Sequence, residues 1–223
     1  MARSLLNTLC QSFVARLIIG FGLTALTLAI IGYLVTGPNA DSIASFDDEV
    51  RKAAQSMAST SLTEVLRVIT RLGSTIVLTI IGSLAVIAFF LLRWRRAVSV
   101  FLLAMAGQII LHEGFKFLIA RERPQGSFGY IVDESHSFPS GHALASASLY
   151  GILVWILTRR LGSKRLAVTM WVAAVTLVFL IGFSRVYFNV HYASDVIAGF
   201  VAAFIWTAAV ASGDVATDLI KSM

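Results

Sequence analysis

The stretch LAVTMWVAAVTLVFLIGFSRVYFNVHYASD, Leu166 to Asp195, sets an uncharged run of membrane-spanning length directly against Arg185, His191 and Asp195. The run Leu166 to Ser184 carries no ionisable side chain and matches the roughly 20 apolar residues a helix needs to cross the hydrocarbon core. Charge returns at its end, where removing it from water is costly and is usually tied to function. Working outward, five more uncharged windows occur: Leu17 to Ala40, Leu72 to Leu92, Ala97 to Leu111, Ala143 to Thr158 and Val196 to Gly213. The windows from Ala97 and Ala143 reach spanning length only if their helices continue through His112 to Ala120 and back to Pro139. The chain is 57% hydrophobic and 13% charged, against about one quarter charged in soluble domains. These features predict an all-α integral membrane bundle of six transmembrane helices, forming a single domain over residues 1–223.

The first window is too long for a signal-peptide core and no A-x-A pattern follows Thr36, so it reads as a retained anchor. Cys10 is the only cysteine, which excludes an intrachain disulfide. A formal charge of +6 raises the possibility of nucleic acid, but the basic residues sit in short loops beside spans, and membrane topology accounts for them better. RWRR (Arg93 to Arg96) and RRLGSKR (Arg159 to Arg165) are tight Lys/Arg-rich connections of the kind that stay cytoplasmic. With Arg3, Arg16 and Lys221 they place ten cationic residues inside and eight outside, or five outside once Lys116, Arg123 and Arg185 are set apart for chemistry. Both termini are therefore expected in the cytoplasm, in a cell (inner) membrane. The segment from Gly37 to about Thr70 reads as an outer loop. Leu62, Val65, Leu66 and Ile69 suggest a short amphipathic helix lying on the membrane, and Asp47, Asp48 and Glu49 a solvated charged run. Ala143, Ala147 and Gly151 in one span, and Ala198, Gly199, Ala202 and Ala203 in another, have the small-residue spacing that lets membrane helices approach closely.

With the basic loops on one side, three polar clusters fall on the other. KFLIARERP, Lys116 to Pro124, closes the third span. Lys116 and Arg123 would lie about 10 Å apart on one helix face if the helix ran on, but Pro124 disfavours helix at Arg123, which can then fold back toward the bundle. Snorkelling cations are the plainer explanation of this cluster taken alone. FPSGHA, Phe138 to Ala143, opens the fourth span with free backbone N–H groups, a hydroxyl and the positive dipole end, which suit an anion; simple N-capping by Ser140 is the alternative. In the third cluster Asp195 follows His191 by four residues. If a helix begins near His191, the carboxylate can accept the imidazole Nδ1–H and leave Nε2 free and basic. Arg185 adds a planar fork suited to oxyanions. Cations, an anion-binding helix start and two histidines converging on one membrane face would be compensated by a tetrahedral oxyanion.

Lys116 with Arg123-Pro124, Pro139-Ser140-Gly141-His142, and Ser184-Arg185 with His191 and Asp195 resemble the three-part signature of the type 2 phosphatidic acid phosphatase superfamily, at matching spacing across residues 116–195. That superfamily includes bacterial phosphatidylglycerophosphate and undecaprenyl-pyrophosphate phosphatases, lipid A phosphatases, glucose-6-phosphatases and vanadium haloperoxidases. The resemblance implies that His191 attacks phosphorus and forms a phosphohistidine, that Asp195 stabilises the imidazolium, and that His142 protonates the leaving oxygen. It also implies that Lys116, Arg123, Ser140, the Gly141 N–H and Arg185 hold the non-bridging oxygens, and that no metal or other cofactor is needed. Cations rather than clustered carboxylates at the anion site agree with that. His112 and Glu113 are read as an ion pair within the bundle, the outer loop Gln125 to Phe138, with Asp133, Glu134 and His136, as a gate, and Arg121 and Glu122 as groups bracketing the phosphate site.

The expected function is hydrolysis of a phosphomonoester or pyrophosphate on a membrane lipid, with the bilayer and the lipid as partners, no nucleic acid, and the site facing the outer, periplasmic side. A lipid phosphotransferase would use the same site with another acceptor in place of water. Haloperoxidase activity would use the same oxyanion cage but fits six spans poorly. An anion transporter also places cations within spans, yet needs access from both sides. Neither the lipid nor the oligomeric state follows from these motifs.

Overall fold

The computed structural model describes residues 2–38, 40–124, 126, 128, 130 and 136–221, with side chains described only within 13–214. Arg3, Cys10, Lys221, Asp133 and Glu134, all invoked above, lie outside the described side chains. Eight helices follow one another without strands among the described residues: α1 Ala2–Thr36, α2 Ala40–Ser56, α3 Thr60–Arg71, α4 Thr75–Leu91, α5 Arg95–Ile119, α6 Gly141–Thr158, α7 Lys164–Tyr187 and α8 Ala193–Lys221. Five stretches are long and apolar enough to cross a membrane: Phe13–Thr36, Arg95–Ile119, Gly141–Thr158, Lys164–Tyr187 and Ala193–Asp214. The window from Leu72 differs from expectation. Its helix α4 has 17 residues, about 26 Å at the α-helical rise, and it meets α3 at a bend of 47°. The two make a sixth span only if they are counted together.

Outward-facing apolar side chains mark the lipid surface. Ile18, Phe117, Val172 and Phe204 are each more than 60% exposed, which is stable where the solvent is hydrocarbon. Helices α1, α5 and α6 gather around α8, with α7 on the far flank of α6 and α4 against α5 and α6. Without a hydrophobic drive between helices in lipid, close packing through small residues decides the contacts. The small-residue approach is present at one end of α6 only: a Cβ on Gly199 would stand 3.0 Å from Ala143 Cβ, Leu144 N and Ser140 O, whereas a Cβ on Gly151 would meet nothing within 4 Å. On α5, Gly107 gives way to Trp206, whose indole N–H donates to Ala104 O at 2.9 Å.

The segment after Gly37 forms two helices. On α3, Leu66 is buried with Tyr187, Phe188 and Val190, and Leu62 and Ile69 pack on the same group, so the apolar face expected to meet the membrane covers the end of α7. Val65 and Val68 remain exposed. On α2, Ala54 joins Ala143, Val186, Ala193 and Val196. Asp48 and Glu49 are exposed as expected, but Asp47 is 2% exposed. Its carboxylate accepts the Ser194 backbone N–H at 2.8 Å and faces Arg121 at 2.9 Å, so the reading of Asp47 as solvated is corrected. A partner 74 residues away took it out of water.

The two basic loops meet at one end of the bundle. Arg160 lies over the Trp94 ring at 4.0 Å, and Arg96 and Arg159 both reach Asp214. The end of α5, the start of α6, the end of α7 and the start of α8 therefore share the opposite end.

Candidate active site

Three local devices bring the polar clusters together. Helix α7 ends in a Schellman motif. Asn189 takes the left-handed conformation at φ 53°, its N–H donates to Val186 O at 2.9 Å, and the Val190 N–H donates to Arg185 O at 3.1 Å. Asparagine tolerates this conformation better than most residues. Val190 then packs against Leu66, Tyr187 and Phe188, and the reversal delivers His191. Helix α8 starts directly afterwards with half of a capping box: Asp195, its third residue, reaches back to accept the Tyr192 N–H at 3.1 Å. Helix α6 starts at Ser140, whose hydroxyl accepts the Ala143 N–H at 3.5 Å and whose own N–H donates to Asp195 O at 3.1 Å.

Helix α5 stops earlier than Pro124 alone requires. Ala120 turns left-handed at φ 46° and ψ 34°, and the chain after it is irregular. The fold-back expected of Arg123 is present: Nη1 donates to Val190 O at 3.0 Å and to His191 Nε2 at 2.9 Å.

Lys116, Arg123, Gly141, His142, Arg185 and His191 all line one cavity of about 750 Å³. Six of the eight expected site residues thus share a wall. Asp195 and Ser140 are fully buried behind it, Asp195 toward His191 and Ser140 as the helix cap, so the capping alternative for Ser140 describes its contacts. Arg185 is 5% exposed, and its Nη1 donates to Thr70 Oγ1 at 2.9 Å and Tyr130 Oη at 3.0 Å.

The contact between Arg123 and His191 settles the tautomer by elimination. A guanidinium carries donors only, so the Nε2 it meets at 2.9 Å presents a lone pair and the ring proton sits on Nδ1. That nitrogen faces Asp195 Oδ2 at 3.6 Å, a little beyond hydrogen-bond range. Burial holds the His191 imidazole down to about 4, opposed by Asp195 and reinforced by the positive charges of Arg123 and Arg185. The ring is neutral at neutral pH, with its lone pair on the cavity side. The arrangement suits attack on an electrophile whose oxygens displace Arg123 from Nε2.

Several residues at this site escaped the sequence. His112 does pair with Glu113, at 2.8 Å through Nδ1, but it also lines the cavity, and a Cβ on Gly141 would meet its Nε2 at 2.7 Å. Glycine is required at 141 by this approach as well as by the signature. Gly73, in the bend between α3 and α4, makes room first for Ile181, whose Cγ2 would be 2.4 Å from an added Cβ, and then for His142, whose Cδ2 would be at 3.1 Å. Thr70 and Tyr130 gave no signal beyond their polarity. Glu122 and His136 are exposed, and neither lines the cavity. Of the outer loop Gln125 to Phe138, the part carrying Asp133 and Glu134 lies outside the described residues.

Comparison with known proteins agrees with the geometry. The model of the PAP2 superfamily matches residues 97–215. Phosphatidylglycerophosphatase B of Bacillus subtilis (strain 168) is 34% identical over 172 residues, covering 75% of this chain and 82% of that protein. An undecaprenyl-diphosphatase of Sulfolobus acidocaldarius is 34% identical over 98 residues, 42% of this chain and 43% of that protein. Among solved structures, the transmembrane PAP2-type phosphatidylglycerolphosphate phosphatase from Bacillus subtilis superposes with a TM-score of 0.75 at 28% identity, covering 87% of this chain and 95% of that one. Aquifex aeolicus LpxE shares the fold, with a TM-score of 0.58 at 22% identity over 72% of this chain and 91% of that one. The order of the three motifs, their convergence on one cavity and a relative matched over most of its length lead to one assignment: the chain belongs to the PAP2 superfamily, as a membrane-embedded lipid phosphatase.

Proposed function

We propose that the chain hydrolyses the terminal phosphate of a lipid, a monoester or a pyrophosphate, through a phosphohistidine on His191, at a site on the outer face of the membrane. The observation that carries this reading is the shape of the cavity. From the cations and imidazoles at the ends of α5 to α8 it continues along Thr79, Val86 and Ile87 of α4 and Met105, Leu102 and Phe101 of α5. Lys116 to Phe101 is about 22 Å along a helix axis, most of a hydrocarbon core about 30 Å thick. A phosphate at one end and an alkyl or isoprenoid tail along the remainder would satisfy both linings. The names of the relatives, a phosphatidylglycerophosphatase and an undecaprenyl-diphosphatase, point to the same class. A permeation route would need polar lining at both ends, and here the inner part is apolar.

In this mechanism the Nε2 lone pair forms a bond to phosphorus as the ester oxygen departs, taking a proton from His142. The cationic ring faces Asp195, and Lys116, Arg123, Arg185 and the Gly141 N–H hold the non-bridging oxygens. Stabilising charge on those oxygens is the main work of phosphoryl transfer. Water then attacks phosphorus, returns a proton to His142, and breaks the P–N bond to release inorganic phosphate. The paired basic loops at the opposite end fit a cytoplasmic location under the positive-inside rule, and this supports the reading of an outward-facing site.

Purified protein in detergent should release phosphate from phosphatidylglycerophosphate, undecaprenyl pyrophosphate, phosphatidate or lipid A, and the best of these names the substrate. His191→Ala should abolish release and a chelator should leave it intact. Activity lost to chelator and restored by magnesium contradicts the metal-free mechanism, and no release from any of the four overturns the reading.

A further inference from the structure

The cavity lining explains how phosphate would be gripped but not what aims Asp195 at His191. We infer that Arg121 is a positioning residue for Asp195 and is itself locked by Asp47, so that helix α2, outside the phosphate cavity, sets the orientation of the His191–Asp195 pair. The inference rests on His191 being the nucleophile.

Arg121 forks between two buried carboxylates. Nη1 donates to Asp195 Oδ1 at 2.6 Å and to Ser194 Oγ at 2.8 Å, while Nη2 donates to Asp47 Oδ2 at 2.9 Å. Asp47 also accepts from Ser194, the backbone N–H reaching Oδ1 at 2.8 Å and the hydroxyl reaching Oδ2 at 2.7 Å. The Tyr192 ring covers the guanidinium at 4.0 Å. Asp195 is 0% exposed and Asp47 2%. Arg121 does not line the cavity, so it is placed to hold a carboxylate and not a phosphate.

The division of labour on Asp195 follows. Oδ1 is tied to Arg121, and Oδ2 accepts the Tyr192 N–H at 3.1 Å and keeps a lone pair facing His191 Nδ1. With both oxygens tethered the carboxylate plane is fixed. Charge points the same way: two carboxylates and one guanidinium leave the cluster one negative charge in excess, and a cationic phosphohistidine ring would neutralise it. Without Arg121 two buried carboxylates would face each other, and one would protonate or turn away.

The test compares full-length wild type with Arg121→Gln, Arg121→Lys and Asp47→Asn in detergent. Each is scored per folded molecule by size exclusion and melting temperature. Arg121→Gln should lower kcat on phosphatidylglycerophosphate by about 10- to 100-fold, the usual cost of losing a group that orients an active-site ligand. KM and inhibition by inorganic phosphate should stay within about twofold, because uniform binding is untouched. Arg121→Lys should recover part of kcat, and Asp47→Asn, one contact further from His191, should lower kcat in the same direction but by less than Arg121→Gln. Selective ¹⁵N-histidine spectra should show His191 as the Nδ1–H tautomer in both proteins, since Arg123 still meets Nε2, with the Nδ1–H proton signal moved upfield in Arg121→Gln as Asp195 turns away from it. Unchanged kcat with an unchanged Nδ1–H shift overturns the inference, as does lost phosphate inhibition with kcat retained. If wild type hydrolyses no lipid phosphate the functional reading fails, and the spectra still decide whether Arg121 orients the pair. If Arg121→Gln does not fold, Arg121→Lys and Asp47→Asn carry the comparison.

Discussion

His191 is buried to 4% exposure and touched at Nε2 by an arginine that can only donate, so its state is fixed by its surroundings more than by solution pH. With the folded imidazole near 4 and the free one near 6.5, falling pH protonates the unfolded chain first. Stability from this group is therefore complete above about pH 6.5 and is lost as pH falls toward 4, at about 1.4 kcal/mol per pH unit within that window. We expect the melting temperature in detergent to fall between pH 7 and pH 5 and His191→Gln to flatten that slope; an equal slope in both proteins would place the proton uptake elsewhere. His142 tests the other half of the reaction. His142→Ala should cost far more on a lipid phosphomonoester than on an activated aryl phosphate, whose leaving group needs no proton, and equal losses would remove it from the acid role. The polar residues gathered at or behind the cavity wall were legible at this scale, since His191, Asp195 and Arg185 fall within eleven residues. Asp47 was not, because nothing in a run of Asp47, Asp48 and Glu49 says which carboxylate meets a guanidinium 74 residues away.

Helix ends, more than helix interiors, decide where this site stands. Apolar windows located the starts of α5 to α8 within three residues, and small residues marked α6 and α8 as helices open to close approach, because both signals are local. The stop of α5 was less legible. Pro124 points to a break near Arg123, yet the helix ends at Ile119 with Ala120 left-handed, a conformation costing a residue with a Cβ about 1–2 kcal/mol. Glycine avoids that cost, so Ala120→Gly should raise the melting temperature, less whatever extra freedom glycine gives the unfolded chain. A lower melting temperature would mean that the methyl group's contacts outweigh the backbone. The crossing of α6 and α8 gives the opposite case. An added Cβ at Gly199 already presses on Ala143 and on backbone atoms of Ser140 and Leu144 at 3.0 Å. Gly199→Val should therefore destabilise by about 1–3 kcal/mol. It should also lower kcat by parting Ser140 N from Asp195 O, now 3.1 Å apart; thermal melts and assays on the folded fraction read the two effects separately.

Across the whole molecule, the charged end and the apolar end of one cavity are built by different means. The charged end was legible because its charges are exceptions in an apolar sequence. The groove along α4 and α5 was not, since a leucine or methionine facing a cavity is spelled like one facing lipid. Nor was the bend between α3 and α4, which makes the window from Leu72 shorter as a helix than as a run of letters. Gly82 tests whether the groove holds the tail. It lines the cavity, and a Cβ there would lie in ordinary contact with Phe101 and Leu149, at 3.4 and 3.6 Å, so a larger side chain must project into the groove or displace those two. The residues proposed to grip phosphate, none of them on α4, would be untouched. Gly82→Leu should therefore lower kcat/KM on a long-chain lipid phosphate by about tenfold or more, the scale of one to two kcal/mol in an apolar pocket, and leave hydrolysis of a short-chain or soluble phosphate within about twofold. Equal losses on long and short substrates would mean that α4 supports the phosphate site directly, and no loss on either would put the tail outside the groove.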